Sequence, residues 1–86
     1  MDRAGPPAGE AGRDHLATLL AEVHVARRRL DGARNGAARA SDVQVLRQAL
    51  LQTLEAYAGA LAEAGAPLPY RLRDEIGLLK GLGGRG

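Results

Sequence analysis

The sequence predicts an all-α fold, and three observations carry that expectation. Strand formers are scarce, with four Val, one Ile, two Tyr and two Thr among 86 residues, whereas good helix formers such as Ala, Leu, Arg, Gln and Glu dominate. Large apolar residues recur at spacings of three and four, the signature of one face of a helix. Gly, Pro and Asn fall between these stripes, where helices must stop. The architecture this implies is an antiparallel two-helix hairpin followed by a short third helix, completed by oligomerisation or by a partner helix.

Residues 1–12 contain Pro6, Pro7 and three Gly, and read as a disordered N-terminal tail ahead of a helical domain over 13–82. The first helix is expected over 14–31. Asp14 stands ready to cap it, and Leu16, Leu19, Leu20, Val23, Ala26 and Leu30 make its apolar stripe. Arg27, Arg28 and Arg29 suit the negative end of the helix dipole, and Gly32 suits a left-handed cap. Residues 32–40, with the Asn35-Gly36 turn pair and Ala residues that could equally continue a weak helix, read as a connection with some ragged helix.

The second helix is expected over 42–64. Ser41 and Gln44 have the spacing of a capping box, in which the Ser hydroxyl accepts from the Gln amide and the Gln side chain returns to the Ser N–H. Val43, Leu46, Leu50, Leu54, Tyr57, Leu61 and Ala64 then fall on one narrow face, with Gln48, Gln52, Gly59 and Glu63 opposite. Gly65 and Pro67 end it. The third helix is expected over 69–80, with Pro69 at its first position and Leu68, Leu72, Ile76 and Leu79 as its stripe. Gly77 and Gly81 each weaken it by about 1 kcal/mol relative to Ala, so it depends on docking. Residues 83–86 read as a flexible C-terminal tail.

Composition narrows the function classes. Fourteen Leu, four Val and one Ile are the large aliphatic side chains, with no Phe, Trp or Cys. That stock is small for a self-sufficient core, and without Cys there is no disulfide or thiolate metal site to supplement it. No window reaches the roughly 18 consecutive apolar residues of a membrane span. The most apolar stretch, Ala56 to Leu68, is shorter and holds Glu63. The N-terminus has no apolar signal core, and the default expectation is an intracellular, cytoplasmic protein. Arg outnumbers Lys by 11 to 1, a bias that GC-rich coding alone can produce.

The functional expectation is a non-enzymatic protein–protein interaction, oligomerisation or adaptor module that associates through its Leu/Ala helix faces. Its partner-binding residues are expected among Leu16, Leu20, Val23, Val45, Leu50, Leu54, Tyr57, Leu61, Leu72, Ile76 and Leu79. Val25 and Val45 project away from the main stripes, while Leu20, Leu51, Leu78 and Leu82 lie at or beyond their margins. Ala49, Ala56 and Ala60 form a small-residue flank on the second helix.

The alternative is a small nucleic-acid-associated regulatory protein using Arg27, Arg28, Arg29, Arg34, Arg39 and Arg47. These residues gather in a segment, 27–47, of net charge +4 at one end of the hairpin. No aromatic residue is interleaved to stack on bases. His15 and His24 are nine residues apart, on opposite sides of one helix, and cannot share a metal ion within one chain. Ser41 is committed to capping, and no set of nucleophile, base and orienting group is complete. No catalytic residue, cofactor, metal or small-molecule substrate is therefore expected. The Gly-rich end, Gly81-Leu82-Gly83-Gly84, follows a helix rather than a strand and is not a phosphate-binding loop.

Overall fold

A computed structural model describes residues 8–84. They form three helices and no strand: α1 (Ala8–Arg34), α2 (Ala40–Glu63) and α3 (Tyr70–Gly84). The two long helices pack against each other as an antiparallel hairpin, and the shorter α3 folds back onto α2. The fold is all-α.

Each helix exceeds its expected bounds at one end or both, for local reasons. α1 begins at Ala8, so residues 8–12, expected in the tail, are helical. Ala8, Glu10 and Ala11 are strong helix formers, and extending an existing helix costs far less than nucleating one, so Gly9 and Gly12 are carried along. Asp14 consequently lies inside the helix and caps nothing, and its carbonyl accepts the Thr18 hydroxyl at 3.0 Å. At the other end Gly32 is also helical. α1 runs on to Arg34 and closes at the Asn35-Gly36 turn, where the Asn35 N–H donates to the Asp31 carbonyl at 3.0 Å. Of the expected tails, residues 1–7 and 85–86 lie outside the described residues.

The expected capping box does not form. α2 starts at Ala40, with Arg39 as an extended N-cap residue (φ −71°, ψ 154°) and no side-chain cap. Ser41 and Asp42 thereby move into the first turn, where the Asp42 carboxylate complements the helix dipole. The Gln44 side chain instead accepts from Arg47 Nη1 at 3.0 Å. The C-terminal end follows the sequence closely. Gly65 takes a left-handed conformation (φ +72°), Ala66 N–H donates to the Leu61 carbonyl at 2.9 Å, and Gly65 N–H donates to Ala62 at 3.1 Å. This paired arrangement satisfies two carbonyls that the helix end would otherwise orphan.

Pro69 precedes α3 rather than opening it. Its carbonyl accepts from the Leu72 and Arg73 amides, each at 3.0 Å, and needs no N–H of its own to do so. α3 then continues to Gly84, four residues past its expected end and into the segment read as a tail.

The core is small and centred on α2. Val23, Ala26 and Leu30 of α1, Leu50 and Leu54 of α2, and Leu79 of α3 are buried together. Leu61 is buried as well, and Leu20, Val43, Leu46, Leu51, Tyr57, Leu72 and Ile76 lie half-buried around the cluster. α2 shares a seam with each of the other helices. α1 and α3 share none at backbone level: among the described residues no Cα of one comes within 8 Å of a Cα of the other.

Leu54 is completely buried, whereas Leu78 is 66% exposed. Leu54→Ala is therefore expected to cost about 2–5 kcal/mol of stability, through lost burial and the cavity left behind. Leu78→Ala should stay within about 0.5 kcal/mol. Urea denaturation followed by circular dichroism measures both, and equal effects would place the core elsewhere.

Candidate functional site

The residues expected to bind a partner divide into three groups. Val23, Leu50, Leu54, Leu61 and Leu79 are buried within the chain's own core and are not available to a partner, which corrects their assignment to an intermolecular face. The cause is that α1 packs along α2 and α3 folds back onto it, so that the chain's own helices cover these positions. Leu16, Leu20, Tyr57, Leu72 and Ile76 are half-buried. Val45 is fully on the surface, 66% exposed on the outer side of α2.

Because α1 and α3 do not close on each other, an open groove of about 670 Å³ runs between them. Leu20 and His24 line its α1 side, and Arg71, Leu72, Asp74 and Leu78 line its α3 side. Three of these, Arg71, Asp74 and Leu78, follow one another at spacings of three and four, so they form a continuous lip along α3. The groove is thus apolar at its base and at Leu78, and carries charges of both signs along its edge.

A bidentate ion pair crosses the gap that the backbones leave. Arg27 Nη2 donates to Glu75 Oε1 at 2.6 Å, and Arg27 Nε donates to Glu75 Oε2 at 3.3 Å. Both side chains are about two-thirds buried, and the fork geometry fixes the approach of α3 to α1 more tightly than a single contact would. The two residues are 48 positions apart. No local pattern marks Glu75 as the partner of Arg27, and sequence reasoning missed the pair. A second pair, Lys80 Nζ to Glu55 Oε2 at 3.2 Å, ties α3 to α2 at the surface.

The same geometry dismantles part of the arginine cluster. Arg27 is occupied by Glu75, and Arg47 is half-buried, donating to Gln44, with its Nε buried and without a hydrogen-bond partner. Arg28, Arg29, Arg34 and Arg39 remain exposed around the α1–α2 connection. On the opposite side of the hairpin a shallower depression is lined by Ala21, Val25, Ala49 and Thr53. The small-residue flank expected on α2 is thus divided, with Ala49 in this depression and Ala60 near His15 and Leu16.

His15 and His24 are both exposed, and among the described residues no three His, Cys, Asp or Glu side chains gather as a metal site. No helix among them is long and apolar enough to cross a membrane. The side chain of Leu82 lies outside the described residues.

Removing one member of the ion pair tests its role. Glu75→Gln is expected to lower stability by about 0.5–1 kcal/mol, an effect that shrinks as salt is raised because both groups retain some solvent contact. Denaturant titrations at low and high salt measure it. A loss unchanged by salt would show that Glu75 contributes through its paired hydrogen bonds rather than through its net charge.

Comparison with protein-family models, with curated proteins and with solved structures gives no match for this chain.

Proposed function

We propose that the chain is a non-enzymatic interaction module, an adaptor or oligomerisation unit, that associates with another helical surface through the groove between α1 and α3. The observation that carries this reading is Leu78, two-thirds exposed beside the half-buried Leu20 and Leu72 in a groove that the chain's own helices leave open. Single apolar residues on a surface are ordinary, but here three of them line one concave strip. A helix laid into it would cover all three and turn two seams around α2 into a closed bundle, the usual way in which amphipathic helices complete their burial.

Leu78→Asp places a charge in that strip without touching the core. It is expected to abolish association while leaving the helical circular dichroism spectrum unchanged. Association of the unmodified chain should persist at about 0.5 M salt, where exposed charge attractions are largely screened. Sedimentation or light scattering, alone and with captured partners, reads both. Association that survives Leu78→Asp removes the groove from the interface.

A second reading, a nucleic-acid-associated regulatory role, is favoured by the exposure of Arg28, Arg29, Arg34 and Arg39 at one end of the hairpin. Phosphate contacts made there would weaken steeply with salt. Retention on DNA or RNA at low salt, lost in an Arg28→Ala/Arg29→Ala variant, is the expected result. A chain that shows no retention at low salt eliminates this reading.

A further inference from the structure

We propose that the occupant of the α1/α3 groove is α3 of a second copy of this chain, docked antiparallel about a twofold axis that passes between Arg71 and Asp74. The inference rests on the interaction role just given and identifies its partner.

Charge is the first argument. The groove is lined by Arg27 and Arg71 against Asp74 and Glu75, so with His24 counted neutral its charges cancel. Arg27 and Glu75 satisfy each other. A strongly acidic or strongly basic partner would gain at one of the two exposed lip residues and lose at the other. A surface carrying one charge of each sign is complementary to itself, because a twofold axis brings residue i of one copy to residue j of the other and j to i.

Register is the second argument. In antiparallel pairing of two α3 helices, an axis between positions 71 and 74 sets Arg71 of each copy opposite Asp74 of the other. Counting outward by the same amount from that axis, the helical register ends with Glu75 of each copy opposite Tyr70, the first residue of α3, in the other, and Leu78 lies past that helix start, on the side of the segment whose Pro69 lines the groove. One register therefore pairs both charges of each lip with their opposites. The opposing charges also specify this register against its neighbours, since a shifted alignment loses both ion pairs at once.

The test uses the full chain and two surface substitutions, Arg71→Asp and Asp74→Arg, with circular dichroism as the check that each remains folded. The unmodified chain is expected to form dimers in sedimentation equilibrium through the low micromolar range. Each substitution gives the lip two charges of one sign, so each variant alone should dimerise at least about tenfold more weakly. Mixed in equal amounts, the two variants should form a heterodimer, because a lip with two acidic positions on one chain then meets a lip with two basic positions on the other. Only a surface that pairs with itself through these two positions predicts that rescue.

A chain that stays monomeric at every concentration overturns the second-copy assignment, as does a chain that binds a foreign helix or nucleic acid without dimerising. The broader interaction role then stands or falls separately, on whether a captured partner is released by Leu78→Asp. Dimers indifferent to both lip substitutions, or variants that fail to rescue each other, also overturn it.

Discussion

Burial of Leu50 and Leu54 in the cluster shared with α1 and α3 is the interaction on which the rest of the molecule depends, because among the described residues α2 is the one helix whose backbone packs against both of the others. Its apolar face supplies Leu50, Leu54 and Leu61 to the interior, while its partly buried neighbours spread to either side. Val23 and Leu30 close one flank and Leu79 closes the other. Each contribution is a few kcal/mol at most, so a core this small survives by concentrating its bulk in two seams rather than distributing it over three.

That concentration explains why the third seam is open. With no Phe or Trp, and with neither Tyr among the residues that line the groove, no aromatic side chain fills the space between α1 and α3. The gap is bridged instead by two long charged residues, Arg27 and Glu75, whose aliphatic stems can lie along the groove while their heads pair. An ion pair holds the helices at a defined separation but does not fill the space beside it. Leu20, Leu72 and Leu78 are consequently left along a concave strip. The small core and the open groove are two consequences of the same shortage of bulk.

The ion pair also redistributes charge in a way that bears on function. The arginine-rich segment loses Arg27 to Glu75 and keeps Arg47 half-buried, so the positive surface is narrower than the residue count implies. Arg28, Arg29, Arg34 and Arg39 are exposed, and none of them lines the groove with its mixed-sign lip. A polyanion and a helical partner would therefore meet different parts of the molecule.

The class of fold, the three helices and the apolar face of each were legible from periodicity, because the spacing of Val23, Leu30, Leu50, Leu54 and Leu79 follows directly from 3.6 residues per turn. The Gly65 cap was legible for the same local reason, a backbone conformation that favours a residue without a side chain. Helix starts were not. Asp14 and Ser41 have capping chemistry, but Ala-rich flanks let α1 and α2 begin earlier, and a cap residue overtaken by its helix has nothing to cap. Which leucines the chain itself buries was not legible either, since a stripe looks the same whether its own chain or another covers it. Tertiary structure decided that by folding α3 onto α2, and it alone brought Arg27 to Glu75 and left Leu78 outside. Local periodicity determines which side of a helix avoids water, whereas the neighbour against which that side is buried depends on contacts between residues distant in the chain.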